Sequence, residues 1–292
     1  MSGETTHAFS RAGCELFYRS WGDERDSAPP LVLLHGLASN STRWRELAWA
    51  LVERRGGRVL APDLRGHGHS PFRGRLGRVD WIDDLIALLE ETGCGKAVVG
   101  GHCLGANLAL RLALEHPERS AGLVLVEPML PDALRGVIAW LRPVRWLLPL
   151  LALPVRALNA LGVHRRTLPV LDLTELDRET RRAMVEHGSP EAMLKRYARP
   201  SGDMAYMPVA TYLQALYQVL REVGPIERID APALALLSGG ALLADPERSR
   251  LLLARLPAAE IRQIDALHWI PTEQPEAMTR AVAAFLDRLE AR

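Results

Sequence analysis

The sequence predicts an α/β fold: a mostly parallel central sheet with helices on both faces and an inserted helical cap. Three observations predict it. Short apolar runs (Leu31–His35, Val59–Pro62, Ala97–Val99, Gly122–Val126, Ala233–Ser238) have the unbroken hydrophobicity of strands buried on both faces. Between most of them lie segments with helical periodicity, the rhythm of parallel β-α-β units. That rhythm breaks at Glu127 and resumes at Ala233, and the residues between are helical and Pro-rich. The predicted division is a core of residues 1–127 and 230–292, with a helical cap formed by 128–229.

In order along the chain, residues 1–13 read as a frayed end or a first edge strand. Glu15–Trp21 alternates as a strand does, and Gly22–Pro30 is a polar loop closed by Pro29-Pro30. After the Leu31–His35 strand comes a small, polar loop, Gly36–Thr42, and then a helix over Trp44–Glu53. The Val59–Pro62 strand leads into a Gly-rich loop, Asp63–Arg78. Asp80–Thr92 is predicted helical, with Trp81, Leu85, Leu88 and Leu89 on one stripe. Ala97–Val99, bounded by Gly100 and Gly101, is the next strand, and apolar residues recur at helical spacing from Leu104 onward. Beyond the insertion, a helix near Pro246–Leu256, a strand at Glu260–Ile264 and a final helix over Pro275–Glu290 complete the pattern.

The chain has 292 residues and a net charge of +1, so it can bury a large core and carries no basic footprint for nucleic acid. Its N-terminus lacks the apolar stretch of a secretory signal. Cys14, Cys94 and Cys103 are odd in number and far apart, which fits free thiols in a reducing, cytoplasmic compartment. The nine histidines show no metal-ligand spacing, so neither a metal nor another cofactor is expected, and oligomeric state is not encoded legibly. The most apolar region, Leu134–Val163, is interrupted by Arg135, Arg142, Arg145 and Arg156 and by three prolines. Its longest uncharged piece, Trp146–Val155, falls far short of the ~20 residues that span a bilayer. It reads as an apolar cap over a pocket, with peripheral membrane contact as the alternative.

The chemistry centres on Gly101-His102-Cys103-Leu104-Gly105, where a strand turns sharply into a helix. That is the layout of a nucleophile elbow, with small residues where strand and helix must approach closely. With LVLLHG at Leu31–Gly36, APDLRGHGHS at Ala61–Ser70 and ALHWIPTEQPE at Ala266–Glu276, this segment resembles the motif set of the α/β-hydrolase superfamily over nearly the whole chain. The resemblance implies the α/β-hydrolase fold, a nucleophile at Cys103 where serine is usual, and a general base at His268. It implies an oxyanion hole from the backbone amides of Leu37 and Leu104, and it gives His35 and His102 packing roles.

A thiol is a good nucleophile only as thiolate, which a helix N-terminus and an adjacent imidazole favour. Alternatives at this point are an inert cysteine on a hydrolase scaffold and a serine replaced by cysteine. The aspartate that the family carries after the Ala233–Ser238 strand is missing: SGGALLADPE puts Ala241 or Leu242 there, and Asp245 comes too late. The resemblance to members with a glutamate at the end of the preceding strand implies Glu127 as the acid, with Asp245, or no acid at all, as the alternatives. His67 and His69 are read as structural. Trp140, Trp146, Tyr206 and Tyr212, in the cap, are expected to wall a pocket for a small hydrophobic acyl or aromatic ester-type substrate. The expected activity is hydrolysis of an ester, thioester or lactone through a thioacyl-enzyme. Acyl transfer from the same intermediate, or non-catalytic ligand binding, are the alternatives.

Overall fold

The computed structural model describes residues 3–26, 28–187, 200–240 and 242–291. Eight strands form one sheet: β1 (Thr5–Arg11), β2 (Cys14–Gly22), β3 (Leu31–Leu34), β4 (Arg58–Pro62), β5 (Ala97–His102), β6 (Ser120–Val126), β7 (Ala233–Ser238) and β8 (Ala259–Ile264). Their spatial order is β1-β2-β4-β3-β5-β6-β7-β8. β1 pairs antiparallel with β2 and β2 with β4; every later pairing is parallel. The first residues are thus an edge strand.

Strand residues alternate between two hydrophobic layers, as a two-residue period requires. Val32, Leu34, Val99, Leu123 and Leu125 face one layer, which also holds Trp81, Leu85 and Leu88 of α2 (Arg78–Glu91) and Leu104, Leu108 and Leu112 of α3 (Leu104–Glu115). Leu31, Leu33, Val98 and Val124 face the other, against Leu47 and Leu51 of α1 (Arg45–Arg55) and Val282 and Phe285 in the C-terminal helix. A fully buried leucine contributes about 1.5–3 kcal/mol, so these two faces fix how each helix lies on the sheet.

One expected boundary differs for a physical reason. Gly100 and Gly101 do not end the Ala97 strand; β5 runs on through His102. They are small because neighbours are close: a Cβ on Gly101 would sit 2.5 Å from the Gly105 carbonyl carbon and 2.7 Å from the Leu34 carbonyl oxygen.

Between β6 and β7 the chain forms α4 (Gly136–Leu141), α5 (Leu147–Ala160), α6 (Leu173–His187), α7 (Pro200–Tyr206) and α8 (Val209–Val219). Residues 188–199, inside the expected cap, lie outside the described residues. This excursion has no separate core among the described residues. Met129, Leu130, Leu148, Ala215 and Val219 join the same hydrophobic layer as α2 and α3. The chain finishes with α9 (Pro246–Leu253), α10 (Ile270–Glu273) and α11 (Pro275–Glu290).

Candidate active site

Strand register sets up the site. β5 and β6 pair so that His102 lies opposite Val126, and β6 and β7 pair so that Val126 lies opposite Leu236. The residues just past those pairs, Cys103 and Glu127, therefore emerge side by side at the carboxyl edge of the sheet. Each extends the ladder by one hydrogen bond: Cys103 N–H donates to the Val126 carbonyl and Glu127 N–H to the Leu236 carbonyl, both at 3.0 Å. Each then turns through a left-handed conformation, φ 55° at Cys103 and 49° at Glu127. A non-glycine residue held there costs of order 1–3 kcal/mol, which the surrounding structure must over-determine.

At Cys103 that surrounding is the corner itself. Position 103 caps the N-terminus of α3, and Gly105, two residues further on, lies so close to β3 that an added Cβ would be 2.1 Å from the Leu34 carbonyl oxygen. The thiol is half-buried and faces a cavity of about 430 Å³, which His268 also lines. The Leu104 amide belongs to the first turn of α3, where no intrahelical acceptor exists. Leu37, in the loop after β3, lines the same cavity.

His268 is fully buried, and its ring joins Cys103 to Glu127. Its Nδ1 donates to Glu127 Oε2 at 2.9 Å, which leaves Nε2 for the hydrogen bond with the Cys103 thiol. Burial opposes charging of this imidazole. The hydrogen bonds with Cys103 and Glu127, together with the electrostatic interaction with the same two groups, outweigh burial and raise its pKa to about 9. The other Glu127 oxygen accepts from the Ser238 N–H at the end of β7. Glu127 thus reaches, from the neighbouring strand, the backbone at the end of β7.

The loop carrying His268 is held from several sides. The Glu273 carboxylate accepts from three successive amides, Leu267 at 2.8 Å, His268 at 3.1 Å and Trp269 at 2.9 Å. His102 Nε2–H donates to the His268 carbonyl at 3.1 Å, and burial keeps the His102 ring neutral by lowering its pKa well below the ordinary value. Ser238 Oγ–H donates to the Leu267 carbonyl at 3.0 Å. Sequence reading passed over Glu273; a lone acid five residues after the histidine and between two prolines was its signal.

Asp245 is engaged elsewhere. It caps α9 by accepting from the Arg248 amide at 3.0 Å and pairs with Arg135 at 3.4 Å. Ala241 lies outside the described residues, and Leu242 lines the cavity. His35 accepts from the Leu64 amide at 3.0 Å and donates to the Gly36 carbonyl at 2.8 Å. His67 stacks edge-on to His35, and burial lowers its pKa to about 3; His69 bonds Asp63 instead.

The cavity is mainly apolar, with Met129, Ile138, Leu141, Leu216 and Val219 among its walls. Of the four aromatic residues expected there, Tyr212 lines it. The other three require correction. Trp140 and Trp146 are 82% and 56% exposed, and Tyr206 lines a separate small crevice with Met207 and Pro169. Helices α4 and α5 are apolar on more than one face, so composition gave no orientation. The polar members were not anticipated. Arg43 pairs with Asp177 at 2.6 Å, and Asp203 hydrogen-bonds Tyr212. Burial pushes the Asp203 carboxyl up to about 7, partly countered by Tyr212, and raises the Tyr212 hydroxyl well above its usual value.

Sheet order, elbow and strand-end acid together define a hydrolase-type scaffold, and comparison with known proteins agrees. Residues 29–275 match the family described as alpha/beta hydrolase fold, and the chain belongs to that family. It is 27% identical to the sn-1-specific diacylglycerol lipase ABHD11 of Mus musculus, covering 88% of this chain and 81% of that protein. It is also 27% identical to a probable alcohol acetyltransferase of Saccharomyces cerevisiae, covering 92% of this chain and 80% of that one. Among solved structures, the enol-lactonase from Burkholderia xenovorans LB400 superposes with a TM-score of 0.71 at 22% identity, covering 96% of this chain and all of that one. The protein is therefore a member of a hydrolase-type enzyme family with lipase and acyl-transfer relatives.

Proposed function

We propose that the protein hydrolyses carboxylic esters, thioesters or lactones through a thioacyl-enzyme on Cys103. The observation that carries this reading is the unbroken row from the half-buried thiol at the strand-to-helix corner, through the His268 ring, to Glu127 2.9 Å behind it. In the first step the Cys103 thiolate adds to the carbonyl carbon, and the developing oxyanion is received by the Leu37 and Leu104 amides. The intermediate collapses as the His268 imidazolium gives its proton to the departing alkoxide or thiolate, leaving a thioester on Cys103. Water then adds to the thioester as neutral His268 takes its proton. The acid leaves and the thiolate–imidazolium pair returns. Glu127 fixes the ring tautomer and stabilises its charge throughout. Helices α4 to α8 form a cap over the apolar cavity, which suits a hydrophobic acyl or aromatic group.

Likeness to an alcohol acetyltransferase favours one further reading, in which an alcohol rather than water takes the acyl group. A panel of p-nitrophenyl esters and acyl thioesters, assayed on wild type and Cys103→Ala, tests both. Turnover that the substitution abolishes supports the thioacyl route, and added alcohol diverting product into a new ester selects transfer. Turnover that survives in Cys103→Ala, or ligand binding with no turnover in either protein, overturns it.

A further inference from the structure

One surface of the molecule is built unlike the rest. α5 packs on α8 and buries only Leu148 and Ala152. At 3.6 residues per turn, Leu147, Leu150, Leu151 and Leu158 lie together on a neighbouring face, and all are exposed. Trp146 precedes them, and Leu161, 78% exposed, follows in the turn after the helix. Trp140 extends the patch onto α4. Contiguous apolar exposure on this scale marks an interaction surface, whereas isolated leucines would not.

The charge carried by this stretch of the chain has one sign. No Asp or Glu occurs between Asp132 and Asp172, whereas Arg135, Arg142, Arg145, Arg156, Arg165 and Arg166 all do, in a chain whose net charge is only +1. Arg135 and Arg142 are paired with acids from outside this stretch. Among the described residues, Arg145, Arg156, Arg165 and Arg166 have no carboxylate within ion-pair distance. Arg165 and Arg166, in the segment after Leu161, are exposed, and such side chains can lay their alkyl stems on apolar surface while the guanidinium groups reach outward.

We propose that this face, α5 with the adjoining end of α4, docks on the surface of an anionic lipid bilayer. Exposed leucines would enter the acyl boundary, Trp140 and Trp146 would sit at headgroup depth, and the arginines would meet lipid phosphates. A second copy of the chain fits less well. A two-fold interface sets the same patch against itself, so arginines would face arginines with no acid from this stretch to intervene. Crossing the membrane is not implied. α5 has 14 residues, about 21 Å of helix, against a hydrocarbon core of ≈ 30 Å. Among the described residues no helix is long and apolar enough to span. α4 also joins the patch to the cavity: Ile138 and Leu141 line the cavity, Trp140 faces outward, and Val137, 79% exposed, does both.

Co-sedimentation with sucrose-loaded vesicles tests the docking without reference to catalysis. Wild type is expected to bind 70:30 phosphatidylcholine:phosphatidylglycerol at least about tenfold more tightly than phosphatidylcholine alone, and binding should weaken as salt rises. Leu151→Asp/Leu158→Asp should abolish it, and Arg145→Gln/Arg166→Gln should weaken it about fivefold per charge removed. These side chains lie outside the cavity, so hydrolysis of a soluble ester and the melting temperature should stay at wild-type values, which shows the variants are folded. Three results would overturn the proposal. They are no partitioning of wild type, equal partitioning of the leucine double variant, and a concentration-dependent dimer that this variant dissolves while wild type ignores vesicles.

Discussion

The carboxyl edge of the sheet and the outer helices α4 and α5 lie close together but are held in place by different means. At the sheet edge, side-chain position follows from backbone: two strand ends in left-handed turns, glycines under backbone carbonyls, and a loop whose three amides share one carboxylate. At α4 and α5 it follows only from which side of an apolar helix found a partner. α6 lies between these extremes, since polar groups pin it to α1 and its entry turn. Arg43 pairs with Asp177, Arg181 with Glu46, and Thr42 Oγ accepts from the Leu173 amide at 2.9 Å. A reacting centre needs tolerances of a fraction of an ångström and is built from the first kind of constraint. A surface for bulky apolar groups needs only area and is built from the second.

The contrast breaks most visibly at the corner glycine. Gly105→Ala would force its Cβ to 2.1 Å from the Leu34 carbonyl oxygen, against the Leu34–His35 backbone, which has no room to yield. A loss of about 3–5 kcal/mol is expected in urea denaturation, or failure to fold, whereas Leu150→Ala on the exposed face of α5 should change stability by less than about 0.5 kcal/mol.

Next in size is the acid. Glu127→Gln keeps the shape and the Ser238 hydrogen bond but removes the charge behind His268. kcat/KM should fall about 10²-fold, less than for a serine nucleophile because a thiolate–imidazolium pair needs the acid less. Asp245→Asn should leave activity within twofold. Asp245→Ala should cost only about 1 kcal/mol, by unmaking the α9 cap. A damaging Asp245→Asn beside a harmless Glu127→Gln would reverse the assignment.

The pH profile sharpens the same point. In the proposed route His268 gives the proton to the leaving group, and its pKa is raised to about 9, so kcat/KM should fall as pH climbs through about 9. In Glu127→Gln that limb should move to lower pH. A profile flat to pH 10 would contradict the charged ring.

Smallest is Asp203, across the cavity. Its folded pKa of about 7 lies above the ordinary 3.8, so folding favours the protonated form. The contribution of this group to stability is therefore greatest below about pH 4 and is lost as pH rises through about 7. Allowing for its partial exposure, Asp203→Asn should stabilise the protein by about 1–2 kcal/mol at pH 8, with the difference vanishing near pH 4. A difference independent of pH would mean that the carboxyl is not desolvated.

These differences also explain what the sequence could announce. The elbow was legible because only small residues survive at 101 and 105. Glu127 was legible because it ends an unmistakable strand, and register alone then sets it beside position 103. His268 was legible from its motif between the last strand and the last helix. Asp203, Arg43 and the apolar cavity walls were not, because helix packing decides them and no short motif records it. Trp140 and Trp146 went the wrong way for the same reason: a helix apolar on several faces does not say which one is covered. Gly100 and Gly101 read as a strand end because glycine marks turns and close packing alike.

The central claim is that the Cys103 sulfur takes the acyl group. Intact-mass spectrometry after brief mixing with an activated ester, followed by peptide mapping, reads this directly. The account predicts a single acyl adduct, located on Cys103, that decays at the rate of turnover and is absent from Cys103→Ala. Steady hydrolysis with no adduct at any time, or an adduct that persists in Cys103→Ala, would contradict it.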